Sequence, residues 1–219
     1  MKVRRSIGNA FRRIANLGEE GIAFMEFAFL LPIFLMVVLG GLELANLTLT
    51  NLKVQRLANL SADLISQNGV GGNQLSEMQI YDILDAMNVS AKPLDMRARG
   101  RVILSSVIGT DANNDGTSER QDFVWQRFDG GLLSAQPMLG CWSDHGNVVL
   151  PSQRRLSPNE VIYHAQVSYA YEPLIGGTVL EWLNVPTLIT KSGAYRGRTS
   201  SFRSVLVTPG YEAKTDCRR

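Results

Sequence analysis

The residues with the clearest chemical potential lie early in the chain. In Gly21-Ile22-Ala23-Phe24-Met25-Glu26-Phe27 a glycine closes a basic leader, an apolar run opens, and Glu26 stands inside that run. A carboxylate within a membrane segment costs roughly 2.5–3.5 kcal/mol on insertion scales, so it is read as a functional group that needs a partner. The plainer alternative is an interfacial glutamate whose side chain reaches the cytosolic headgroups.

A second set of oxygen donors lies at Asp111-Ala112-Asn113-Asn114-Asp115-Gly116. Asp111, Asn113 and Asp115 occupy positions 1, 3 and 5 of a calcium loop, with glycine at 6, Glu119 at 9 and Asp122 at 12, where a bidentate glutamate is expected. Strands rather than helices flank it, so it is not an EF-hand, and a hairpin turn built from Asn, Asp and Gly is the competing reading. Calcium is the one cofactor this pattern admits. Cys141 and Cys217 are the only cysteines. In an oxidising compartment they would bridge and tie the C-terminal tail to the body; two free thiols are the alternative. His145 near Cys141 offers too few ligands for a metal. His145 and His164 form no recognisable triad, and His164 reads as a satisfied or solvent-facing strand residue. With no phosphate loop, serine elbow or zinc signature, catalysis has no support and the chain reads as a non-enzyme. Tyr163, Tyr169, Tyr171, Trp125 and Trp182 suit either a contact surface or ordinary sheet packing.

The elements that must position these groups follow from composition and periodicity. The chain has 219 residues, 45% hydrophobic and 19% charged, which excludes a disordered tail, a collagen-like fibre and a disulfide-dense mini-protein. Its net charge of +2 comes from the first 21 residues, which carry +3; the rest carry −1, which argues against nucleic acid as a partner. Phe27 to Leu42 is sixteen residues without a charge, and Ile22 to Met25 extends the run past Glu26. About 20 helical residues cross a hydrocarbon core of about 30 Å, so residues 22–43 are expected to span once. The basic leader, residues 1–21, should stay cytoplasmic. The long apolar run and the poor cleavage-site match at Glu43-Leu44-Ala45-Asn46 speak against an ordinary secretory signal.

Leu44, Leu47, Leu52, Val54, Leu57, Ala58, Leu60, Ala62, Leu64 and Ile65 recur at helical spacing, which predicts an amphipathic stalk over 44–67 continuing from the anchor. Asn68 to Asn73 breaks it. Leu75 to Met87 predicts a second helix beginning near Ser76 and Glu77, with Met78, Ile80, Ile83, Leu84 and Met87 inward. Strands are predicted at Arg101–Ile108, Asp122–Phe128, Val161–Tyr171 and Ser201–Thr208, the third with Val161, Tyr163, Ala165, Val167, Tyr169 and Tyr171 on one side. The expected fold is α+β: a long N-terminal helix packed on a small antiparallel sheet, with 68–219 an exported periplasmic domain.

The N-terminal pattern resembles the prepilin-type processing site and, more closely, the TadE-like family of the bacterial tight-adherence (Tad/Flp) pilus system. The residues that carry it are GIAFMEFAFLLPIFLMVVLGGLELAN, with Pro32, Gly40, Gly41 and Glu43 in the family's layout, then weakly LANLSADLIS. Phe27 follows the glutamate, where the major pilins of this branch carry tyrosine. The resemblance implies cleavage between Gly21 and Ile22 by a prepilin peptidase. It makes Glu26 the fifth mature residue, whose carboxylate pairs with the new Ile22 ammonium of a neighbouring subunit. Leaving both charges unpaired in an apolar bundle would be costly. It also implies a pilin-like fold, a place in the inner membrane or the pilus, and a minor pilin or pseudopilin role in adhesion and biofilm formation. The expected partners are other minor pilins, the assembly machinery and the lipid bilayer. A permanently anchored periplasmic scaffold or binding protein, never processed or polymerised, is the alternative.

Overall fold

A computed structural model describes residues 3–67, 74–144, 147–174, 185–198 and 204–217, with side chains from residue 21 onward except that of residue 152. Two compact units divide the chain, residues 1–46 and residues 47–219. The first consists of helix, part of α1 (Val3–Gln67), with Pro32 inside it. The leader is therefore helical as well, where the sequence reading gave it no structure. Among the described residues this is the one helix long and apolar enough to cross a membrane.

In the second unit the last part of α1 is followed by α2 (Glu77–Ala91), the single turn α3 (Met96–Arg99) and four strands: β1 (Gly100–Thr110), β2 (Arg120–Asp129), β3 (Val161–Ala170) and β4 (Leu188–Arg196). The strands form one antiparallel sheet in the order β2-β1-β3-β4, with a register shift between Ser106 and Val107. The α+β expectation holds.

One sheet face is apolar. Val102, Leu104, Val124, Trp125, Ala165, Val167, Tyr169 and Ile189 pack with Val54, Leu57, Ala58, Ala62 and Ile65 of α1 and Ile80, Ile83, Leu84 and Met87 of α2. Helical spacing on α1 and α2 and alternation on β3 generate these stripes, and removing them from water is the main source of stability. Trp125 and Tyr169 are core residues, so packing is the reading that holds for them; Trp182 lies outside the described residues. Gly193 of β4 meets α1 so closely that a Cβ there would lie 2.8 Å from the Ala58 carbonyl oxygen.

The opposite face is polar and yet buried. Arg101, Ser105, Gln126, His164, Gln166 and Ser168 lie under the segment joining β2 to β3. The strand glutamines hold that segment by its backbone. Gln126 donates to the Gly140 carbonyl and accepts from the Trp142 amide, and Gln166 donates to the Gln136 carbonyl and accepts from the Met138 amide. Satisfying these groups is what makes their burial tolerable. A small apolar cluster, Val107, Val148, Leu150, Leu156 and Ile162, closes the other end.

Several expectations are corrected. The fourth strand is Leu188–Arg196, not Ser201–Thr208: residues 201–203 lie outside the described residues, and Leu206 and Thr208 make only isolated bridges. Helix α2 starts after Ser76, whose side chain accepts from the Gln79 amide while the Gln79 side chain accepts from the Ser76 amide, a capping box. Ile80, Ile83, Leu84 and Met87 are buried as expected, whereas Met78 is exposed and Glu77 is buried instead. On α1 the stripe splits: Val54, Leu57, Ala58, Ala62 and Ile65 are buried, whereas Leu44, Leu52 and Leu60 are exposed.

Candidate functional site

The apolar end of the chain is positioned by α1. Gly21, Ile22, Glu26 and Phe27 lie on this helix, and all four are exposed. Nothing stands within 4 Å of a Cβ added at Gly21 apart from its chain neighbours and its own helix backbone. Around it Phe24, Phe29, Ile33, Phe34 and Met36 are all more than half exposed. Large side chains left open over the length of a membrane crossing are what a lipid-facing or helix-facing segment presents, because a soluble domain would bury them. Ile22 and Glu26 are four residues apart and therefore share a helix face. Glu43 differs from its neighbours in being 5% exposed.

The β1–β2 turn brings together part of its expected donor set. Asp111, Asp115 and Glu119 place one carboxylate oxygen each within 4.8 Å of one another. Asn113 and Asp122 are engaged elsewhere. Asn113 accepts from the Asp115 amide and donates to its carboxylate, and Asp122 Oδ2 accepts from the Thr110 hydroxyl and the Arg120 Nε. The three convergent groups also have protein partners. Asp111 Oδ2 accepts from the Gly116 amide, Glu119 Oε2 from the Ala112 amide, and Asp115 Oδ1 from the Thr117 amide and hydroxyl. The Thr117 hydrogen bonds, with help from Asn113, hold the Asp115 carboxyl below its ordinary pKa. Asp111 Oδ1 alone is a buried oxygen without a partner. Of the five residues read as calcium ligands, three therefore converge, and their geometry is also that of a turn satisfied by its own amides.

Cys141 and Cys217 are bonded, with Cα atoms 5.9 Å apart. His164 is 1% exposed, so it does not face solvent; burial pushes its pKa down to about 4, and its Nε2 has no hydrogen-bond partner. No nucleophile or carboxylate is bonded to it among the described residues; its cross-strand neighbours are Ser105 and Ala194. His145 lies outside the described residues.

Sequence reasoning missed three buried charged residues. Glu77 and Arg127 form a bidentate pair, Arg127 Nε standing 3.1 Å from each Glu77 oxygen, with side chains 3% and 7% exposed. Arg101, 1% exposed, donates to the carbonyls of Leu133, Ala135 and Cys217. The available signal was placement: Arg101 and Arg127 fall within predicted strands, Arg101 beside Val102 and Arg127 beside Phe128.

Residues 21–63 match the model of a family described as TadE-like protein. No curated protein and no solved structure matches the chain. The matched segment begins on Gly21, takes in Ile22, Glu26, Phe27, Pro32 and Glu43, and ends within α1. The family resemblance read from these residues thus holds for this segment.

Proposed function

We propose that the protein is a non-enzymatic minor pilin or pseudopilin of a tight-adherence (Flp type IVb) pilus system. In this reading residues 22–43 cross the inner membrane once, the leader is cytoplasmic and residues 68–219 are periplasmic. A prepilin peptidase cuts after Gly21, and the Glu26 carboxylate neutralises the new Ile22 ammonium of a neighbouring subunit. An ion pair of this kind is tolerable in an apolar bundle only when both partners are present, so it also sets the axial register of the packed helices. The exported α+β domain meets other minor pilins or the assembly machinery in a fibre that serves adhesion and biofilm formation.

The observation that carries this reading is the family match that opens on Gly21 and contains Glu26 in an exposed apolar helix. Intact mass and N-terminal sequencing of the protein from native-host membranes test it. A chain starting at Ile22 is the expected result. A chain starting at Met1, together with assembly insensitive to Glu26→Ala, overturns it in favour of a permanently anchored periplasmic scaffold.

A further inference from the structure

The C-terminal segment is anchored at its start and at its end, and the stretch between is held by scattered single contacts. The Leu206 amide donates to the Leu75 carbonyl at 2.8 Å, and its carbonyl accepts from the Glu77 amide at 2.9 Å. Thr208-Pro209-Gly210-Tyr211 then turns the chain, the Tyr211 amide donating to the Thr208 carbonyl. Gly210 has φ +85°, the sign that the third position of a type II turn requires after proline. From Tyr211 the segment passes over the end of β2 and finishes at Cys217, bonded to Cys141.

β2 is an edge strand, and several of its outward backbone groups are covered. Asn147 and Val148 take Gln121, and the Arg127 guanidinium takes the Gln126 carbonyl. The Phe128 amide is taken by the Lys214 carbonyl at 2.8 Å, so its cover belongs to the tail. The tail's other holds include the Lys214–Asp129 ion pair, Lys214 Nζ over the Tyr81 ring, the Tyr81 hydroxyl donating to the Glu212 carbonyl, a Tyr81–Tyr211 edge contact, the attraction of Asp216 to Arg101 and the Arg101 bond to the Cys217 carbonyl. Between it and the body lies an open pocket of about 370 Å³, with Glu212 to Asp216 of the tail on one side and Tyr81, Arg101, Phe128 and Asp129 on the other.

These holds are individually modest and largely at the surface, whereas each ordered tail residue loses conformational freedom. The disulfide removes most of that freedom from the detached state. Its other end is on fixed ground, since Gln126 clamps the backbone on both sides of Cys141, at Gly140 and Trp142. We propose that residues 209–217 are a disulfide-held strap, released when Cys141–Cys217 is reduced, that takes away one wall of the pocket beside Arg101 and uncovers the Phe128 amide at the end of β2. Release requires a dithiol reductant. Its two thiols become a disulfide, the Cys141–Cys217 bond breaks, and two electrons and two protons leave both cysteines as thiols.

Hydrogen–deuterium exchange on the full chain in detergent tests this, comparing the oxidised protein, the dithiothreitol-reduced protein and the Cys141→Ser/Cys217→Ser variant. The variant keeps the test independent of how readily the bond is reduced. Exchange in 209–217 and at Phe128–Asp129 should rise roughly tenfold or more in both bridge-free forms, while α2, β1 and β3 keep their protection. Unchanged exchange in 209–217 would show that the other contacts hold the strap by themselves. A rise throughout the sheet would show a staple of the whole domain. Either result overturns the proposal.

Discussion

Glu26 and Glu77 are both helical carboxylates among apolar neighbours, and their surroundings differ completely. Glu77 is buried and finds Arg127 within its own domain, so its charge is compensated by folding. Glu26 is exposed, and the side chains around it, such as Phe29 at 74% and Met36 at 75% exposure, have no cover within their unit. The same chemistry is complete in residues 47–217 and incomplete in residues 21–46. That contrast separates a surface evolved to fold from one evolved to meet lipid or another helix, and apolar content alone does not reveal it.

The largest expected effect comes from making one kind of truncation on each side of this divide. Trp125→Ala should destabilise the domain by about 3–5 kcal/mol, because it leaves a cavity in the core shared by sheet and helices. Phe29→Ala should shift stability by less than about 0.5 kcal/mol, since nothing in the fold rests on that ring. Thermal unfolding of the full chain in detergent measures both, and a large loss for Phe29→Ala would erase the division.

Next come the two carboxylates. Glu77→Ala leaves the Arg127 guanidinium buried and unpaired and should cost about 3–5 kcal/mol, with Glu77→Ala/Arg127→Met recovering part of the loss. Glu26→Ala should leave the melting curve unchanged and instead stop co-assembly in the native host, scored by fibre formation. A melting loss in Glu26→Ala would place that carboxylate in the fold rather than in assembly.

Acid sharpens the comparison at an intermediate size. His164 is held neutral with a folded pKa of about 4, below the ordinary value of 6.5 for the unfolded chain. The unfolded state therefore binds the proton first. Stability should be constant above about pH 6.5, fall as pH drops towards 4, and be lower by about 2 kcal/mol at pH 5. Urea titrations at pH 7 and pH 5 measure this, and the non-titrating His164→Gln should flatten the slope. An equal slope in the variant would assign the acid sensitivity to other groups.

How much of this was legible depended on whether a residue's role was local. The long apolar helix, its end at Gln67 and the alternation along β3 are periodic patterns, and the structure has all three. β4 was missed because its sequence, Leu-Ile-Thr-Lys-Ser-Gly-Ala-Tyr-Arg, carries a glycine where α1 needs close approach, which weakens the strand signal. The buried polar face was hidden for a related reason: Gln126 and Gln166 look like surface residues until the distant segment they clamp is in place. Met78 was misplaced although the helix start near Ser76 was read correctly, because Glu77 is drawn inward by a partner, Arg127, that lies 50 residues away in the sequence.

The smallest effects fall at the β1–β2 turn, where ligation and turn formation make different demands on the same oxygens. Asp111 accepts from the Gly116 amide across the turn, so Asp111→Ala should cost about 1 kcal/mol with or without metal. Calcium would need Asp111, Asp115 and Glu119 to share their oxygens between the ion and the amides they already bind, and Asn113 and Asp122 would have to leave their present partners to complete the set. With those donors engaged, about 1–5 mM calcium, at or above the roughly 0.1–1 mM dissociation constants of weak extracellular modules, should leave the melting temperature unchanged. A rise in the wild type that disappears in Glu119→Gln would reverse that assignment. It would mean that the unpartnered Asp111 Oδ1 is a ligand atom awaiting its ion, and that the turn is a site as well as a connection.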